Sequence, residues 1–231
     1  STFSRKMEAG EMSASNPHPD TTTVSTIVLQ SGPVRLVVAI LQSGEWITVK
    51  LVEAQPDLTS IGNDLQEAVE LQTAHSEVLR QLKNKATPVE ELMRQVDKKV
   101  SSQRPEPEVY AAMAESLGTA WQSINNHLEH RKQILDLSVT FQTNFEQCLQ
   151  RMEALNIICR DEELPIQIDA VKQALTEIHD LRRSVLESVM AALQEGGHLL
   201  DHLKDLNNIG TLDSRPGQIK PSVGSAIKQV E

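Results

Sequence analysis

The side chains best equipped for chemistry are a few histidines and cysteines at suggestive spacings. His198 and His202 stand four apart in HLLDH, and His127 and His130 flank Glu129 in HLEH. Two imidazoles one turn apart on a helix have the geometry of a zinc-binding pair. Neither string is HExxH and neither comes with a third ligand, so solvated or seam-edge histidines account for both. His75 falls inside an apolar helical spacing and reads as a packed core histidine with a hydrogen-bond partner. Cys148 and Cys159 are eleven positions apart, with no CxxC and no third thiol, which indicates neither a disulfide framework nor a zinc cage. A nucleophilic thiolate needs a base and an electropositive niche, whereas Cys159 is followed by Arg160, Asp161, Glu162 and Glu163. No GxGxxG, GxxxxGKS or GxSxG string occurs. The sequence therefore predicts no catalytic residue, no cofactor or cofactor-binding residue and no metal ligand. Trp121 sits at seam spacing, where a large aromatic reads as core rather than as an interaction hot spot.

Composition narrows the partner classes. The chain has 231 residues, 39% of them hydrophobic and 23% charged, so cores of real size are available, but only six aromatics can fill them (3 Phe, 2 Trp, 1 Tyr). A net charge of −10 argues against a phosphate-binding surface and hence against nucleic acid, and acidic patches would favour basic protein partners, or none. The longest apolar run, from Leu36 to Leu41, is far too short to span a membrane, and no signal peptide or lipidation motif is seen. A reduced, cytoplasmic setting is expected. The first residue is not Met, which fits a piece of a longer protein.

The elements that would position these residues are read from periodicity. Residues 1–20 contain Ser, Glu and Pro without periodicity, and are expected to form a disordered tail. Residues 21–56 hold three β-branched runs, TTTVSTIVLQ, PVRLVVAILQ and EWITVKLVE, separated by Ser31-Gly32 and Ser43-Gly44. They read as a three-stranded antiparallel meander, with Val34, Leu36, Val38 and Ile40 on one face of the second strand and Ile47, Val49 and Leu51 on one face of the third. Asp57 is expected to cap a helix starting at Leu58, with a seam of Leu58, Ile61, Leu65, Ala68, Gln72, His75, Leu79 and Leu82. Thr87-Pro88-Val89-Glu90 has the form of a capping box. The seam keeps phase through it, so two coaxial segments with a bend near residues 84–88 are predicted.

The dominant element is residues 107–156. Its apolar positions include Tyr110, Met113, Leu117, Ile124, Leu128, Leu135, Phe141, Phe145, Leu149 and Met152, interrupted at Arg131 and Ser138. They predict one unbroken helix about 75 Å long at about 1.5 Å per residue. After a short connector comes a further helix over about 165–206, whose phase survives Gly196-Gly197. Its seam matches that of the 72–100 region at an offset of 103, which suggests an internal repeat.

The run from Ala120 to Leu155, AWQSINNHLEHRKQILDLSVTFQTNFEQCLQRMEAL, resembles the spectrin repeat, with Trp121, Arg131, Leu135 and Phe141 in the W…R…L…F pattern of its junction helices. The β-rich leader joined to YAAMAESLGTAW is similar to the N-terminal region of the coiled-coil domain-containing protein 141 family. The fold these resemblances imply is mainly α: elongated, spectrin-like antiparallel bundles sharing one continuous helix, with the β meander at the N-terminal end. Residues 57–133 would be the first bundle and 134–231 a second repeat truncated in its last helix. Its unfilled seam is expected to leave an apolar groove along Leu175, Val185, Leu199 and Leu203 and to favour self-association. The function implied is that of a non-catalytic scaffold segment with cytoskeletal or centrosomal protein partners and a role in cell migration. The alternative is the regulatory spectrin-like segment of a guanine-nucleotide exchange factor.

Overall fold

The structure is a computed structural model that describes residues 22–102, 107–160, 166–208 and 221–230. The expected tail over 1–20, the turn over 103–106, the connector over 161–165 and the stretch 209–220 lie outside the described residues. Three strands come first: β1 (Thr22–Ser31), β2 (Val34–Ser43) and β3 (Trp46–Gln55). Five helices follow: α1 (Leu65–Lys85), α2 (Thr87–Ser101), α3 (Pro107–Arg160), α4 (Ile168–Asn208) and α5 (Pro221–Val230). The chain is thus mainly helical, with a small three-stranded antiparallel sheet at its N-terminal end.

The sheet is the meander read from the sequence, in the order β1-β2-β3. Gly32 (φ 50°) and Gly44 (φ 58°) supply the left-handed backbone that its two tight turns require. The register pairs Ile27 with Val38 and Ile40 with Val49, so Ile27, Leu29, Leu36, Val38, Ile40, Ile47 and Val49 share one buried face. That face is covered by α1 lying over β1 and β2 and by α3 lying against β3. Leu71, Ala74, Val78 and Leu82 of α1, Val89 and Val96 of α2, and Tyr110, Met113, Leu117, Ile124, Leu128 and Leu135 of α3 complete one continuous core. A three-stranded sheet is not stable unaided, and burial of its apolar face at about 25 cal/mol per Å2 is what fixes it to the helices. The outer edge of β1 is occupied by side chains. Gln81 accepts from the Gln30 amide at 3.1 Å and donates to its carbonyl at 2.9 Å, and Lys85 donates to the Val28 carbonyl.

The first helix does not start at Leu58. Asp57 closes a tight turn instead, its Oδ1 accepting from the Thr59 amide and hydroxyl, each at 2.9 Å. The helix starts seven residues later, where Asp64 (φ −142°, ψ 178°) caps the Glu67 amide at 2.8 Å and the Glu67 carboxylate reaches back to the Asn63 amide at 2.9 Å. Gly62 accommodates the difference. Its φ is +81°, and a Cβ there would lie 2.6 Å from the Ala68 nitrogen, so the chain leaves the helical path over 58–64 at a residue that has no side chain to obstruct it. The bend at 84–88 is present as a junction at Ala86, which keeps right-handed backbone (φ −71°, ψ −18°) and whose carbonyl accepts from the Val89 and Glu90 amides. Thr87 is the first residue of α2 and not its cap, because Ala86 already continues the helical path.

α3 runs unbroken for 54 residues, through the expected end near 156 to Arg160. At about 1.5 Å per residue it is about 80 Å long. Its second half pairs with α4, and α5 lies against α4. A second, smaller core forms there from Ile61, Ile134, Leu199, Leu203 and Ala226, with Leu137, Phe141, Ile227 and Val230 packed on it. Gly196 admits the Phe141 ring, since a Cβ in its place would stand 3.1 Å from Cε2. α4 continues helically through the glycine pair.

Candidate functional site

The long helix carries two polar residues in its apolar seam, and both hold down the segment between β3 and α1. Arg131 is 1% exposed, and its Nη1 donates to the carbonyls of Asp57 and Leu58. Ser138 is fully buried and donates to the Ile61 carbonyl at 2.8 Å. A segment with no sheet or helix of its own must place its carbonyls somewhere, and here the seam of α3 supplies the donors. Nε and Nη2 of Arg131 find no acceptor, and burial lowers the pKa of this guanidinium to about 10. Once latched, the segment inserts Ile61 into the second core, and Asn63 meets Gln229 of α5. The β3–α1 segment therefore joins the sheet, the first helical core and α5.

His75 is where the sequence reading put it, fully buried in α1, with Nε2 2.8 Å from the Leu128 carbonyl. A carbonyl can only accept, so Nε2 carries the proton and Nδ1 is left buried without a partner. Burial holds the ring neutral and pulls its pKa down to about 4, against the opposing effect of the Leu128 hydrogen bond.

The two histidine clusters are brought into contact by one member each. His130 of α3 and His202 of α4 stack with ring centroids 6.0 Å apart and planes at 22°. His202 Nδ1 is committed to the His198 carbonyl at 2.9 Å, and His198 lies 3.9 Å from Glu195. Among the described residues no group of three or more His, Cys, Asp or Glu is placed to hold a metal ion. Cys148 is buried, with its sulfur 3.9 Å from that of Met152, and Cys159 is exposed. Trp121 is half-buried at the margin of the main core, less enclosed than its seam position suggested.

The cavities among the described residues include two of similar size. One, of about 540 Å3, is a shallow polar trough along α3 whose lining includes Thr119, Ser123, Asn126, His127, Glu129 and His130. The other, of about 530 Å3, lies where the β3–α1 segment meets α1 and α5, with Asp57, Glu67 and Glu70 among apolar walls that include Ile61 and Leu71.

The apolar surface is more distinctive. The outer face of the sheet exposes Val24, Val28, Trp46 and Val52. The far end of the α3–α4 pair exposes Phe145, Leu149 and Met152 on α3 and Leu175, Leu186, Met190 and Leu193 on α4. The groove expected at Leu199 and Leu203 is filled, because α5 and Ile61 cover both leucines completely. The opening lies further along, at Leu175 and at residues that the sequence seam either counted as packed or left out. Apolar residues at 185, 186, 189, 190, 192 and 193 already mark a stripe too wide for one neighbouring helix.

No family model matches the chain. Of the curated proteins, coiled-coil domain-containing protein 141 from Homo sapiens is 33% identical over 186 residues, which are 80% of this chain and 11% of the human protein. Its counterpart from Rattus norvegicus is 31% identical over 193 residues, 82% of this chain and 12% of the rat protein. The chain is homologous to a segment of these proteins and spans about a ninth to an eighth of their length. No helix among the described residues is long and apolar enough to cross a membrane.

Proposed function

We propose that this chain is a non-catalytic spacer and protein-docking segment of a large cytoplasmic scaffold, built of spectrin-like repeats and working with cytoskeletal or centrosomal partners in cell migration. One observation carries this reading: α3 passes unbroken through two separate hydrophobic cores and so holds them in line. A helix shared by two cores transmits spacing and orientation, which is what a scaffold needs and what a catalytic pocket does not. Homology to proteins named for their coiled coils supports the scaffold. The cytoskeletal and centrosomal role follows from the family resemblance alone.

Proximity labelling in migrating cells tests it. A ligase fused to the full-length protein should mark centrosomal and cytoskeletal proteins, and deleting the segment equivalent to residues 22–230 should remove a defined subset. Labelling that the deletion leaves unchanged overturns the docking role. The second reading, a regulatory segment of a guanine-nucleotide exchange factor, requires the full-length protein to accelerate nucleotide release from a small GTPase; no acceleration removes it.

A further inference from the structure

A strand of a sheet covered on one side alternates apolar inner residues with polar outer ones, yet β2 is apolar on both faces from Leu36 to Leu41. Leu36, Val38 and Ile40 face the helices, and Val37, Ala39 and Leu41 face away from them. An unbroken apolar run of this kind belongs to a strand held between two layers. Among the described residues only one layer is present: α1 meets β1 and β2, α3 meets β3, and the strand residues in the shared core are all inner ones.

The outer side is a shallow channel. Val37 and Ala39 are only 7% and 3% exposed, whereas Val24 and Val28 of β1 are 57% and 37% exposed and Trp46 of β3 is 52% exposed. The register explains the contrast, since Val28 stands beside Val37, Thr26 and Lys50 flank Ala39, and Val24 and Thr48 flank Leu41. The outer strands thus raise two walls about 10 Å apart, twice the inter-strand spacing, over a floor formed by β2. From Arg35 to Ser43 the channel runs about 27 Å, or about five helical turns. Its charge is one-sided. Lys50 on the β3 wall makes no ion pair among the described residues, while Arg35 at one end is paired with Glu53. β1 carries no charged residue, and Lys85 at its edge is committed to the Val28 carbonyl.

We propose that this channel docks one amphipathic helix of a partner protein, lying along β2 with its apolar stripe on Val37, Ala39 and Leu41 and an Asp or Glu facing Lys50. The proposal rests on the reading of the chain as a docking segment, and names the surface and the chemistry of what docks. The width suits one helix, about 10–12 Å across with its side chains. The outer face of a second copy would meet the raised walls and leave the floor uncovered, and a contact of about 400 Å2 per partner is half that of a standard stable interface. Such an area fits a transient helical ligand. A large side chain, Leu, Met or Phe, seats over Ala39, the low point of the floor, and the sheet becomes the middle one of three layers.

Trp46 stands on the channel wall and reports its occupancy, and in a Trp121→Phe background it is the sole tryptophan. The probes are synthetic peptides about 18 residues long, the length that fills the channel as a helix. One has Leu every three or four positions and Glu along one edge, the second has Lys in place of Glu, and the third is the Glu peptide interrupted by prolines. The Glu peptide should move the Trp46 emission to shorter wavelength and bind at least about tenfold more tightly than the Lys peptide. A protein of net charge −10 attracts the Lys peptide non-specifically, so a preference for Glu identifies Lys50. Lys50→Glu should reverse the order of the two. Ala39→Leu, which raises the floor, should weaken both at least about tenfold while the far-ultraviolet circular dichroism stays the same. Equal affinity for the Glu and Lys peptides overturns the proposal, as does equal binding of the proline-interrupted peptide, which assigns the channel to an extended segment. An emission shift that follows protein concentration alone overturns it in favour of a second copy, and one produced only by vesicles of phosphatidylcholine and phosphatidylserine in favour of a membrane. If the peptides fail while proximity labelling still depends on the segment, the docking reading stands and this surface is the wrong one.

Discussion

His75 is kept neutral by its position, and that makes part of the fold's stability depend on pH. In the unfolded chain its pKa is the ordinary 6.5, and in the folded chain it is about 4, because burial penalises the imidazolium more than the Leu128 hydrogen bond favours it. Between those values the unfolded chain takes up a proton that the folded chain refuses, so stability falls as pH drops from 6.5 to 4. Above 6.5 the contribution is fully present. The loss amounts to about 2 kcal/mol by pH 5 and about 3 kcal/mol by pH 4. His75→Leu keeps the bulk and removes the proton site. Urea melts at pH 7.5 and 5 should show the natural chain losing about 2 kcal/mol more than the variant, and equal losses would mean that His75 is not buried neutral. The core role of His75 was legible in the sequence from its place between Gln72 and Leu79. Arg131 and Ser138 were legible only as gaps, since their partners are main-chain carbonyls, which carry no sequence signature.

Among the elements, the β3–α1 segment is where local signals misled and tertiary contacts decided. Leu58, Ile61 and Leu65 keep helical spacing, and both Asp57-Leu58 and Asp64-Leu65 look like a cap followed by the first apolar residue. Gly62 distinguishes the two starts, but only its conformation shows this. A glycine inside a helix costs roughly 1 kcal/mol and is tolerated, whereas one at φ +81° pressed against the Ala68 backbone is required. Asp64→Ala should therefore destabilise the protein by about 1 kcal/mol through loss of the cap. Gly62→Ala should cost more than about 2 kcal/mol, because the added methyl strains the backbone and displaces the segment that carries Ile61 into the second core. A helix starting at Leu58 predicts the reverse: Gly62→Ala would stabilise, and Asp64→Ala would be nearly neutral. Denaturant melts of the two variants separate these outcomes by sign. By contrast, the three strands and all of α3 but its last turn were legible, since fifty residues of three-and-four spacing and three alternating runs around Gly32 and Gly44 leave little for tertiary context to change.

For the whole molecule, the long helix sets the dimensions. A compact protein of this length would have a radius of gyration of about 17 Å. α3 alone is about 80 Å long, and a rod of that length has a radius of gyration of about 23 Å before anything is packed on it. The sheet, α1 and α2 thicken one half and α4 and α5 the other, so neither half draws the ends together. Small-angle scattering of dilute protein should give a radius of gyration clearly above about 20 Å and a distance distribution with a long tail reaching about 80 Å or more. Two failures would be informative. A value near 17 Å would mean that α3 folds back on itself, and the junction between the two cores is where it would have to do so. A tail extending far beyond 80 Å and growing with concentration would mean copies joined through their exposed stripes. Changing Leu186 and Leu193 together to Lys should abolish that growth while leaving the dimensions of the dilute protein unchanged, because both side chains already face water.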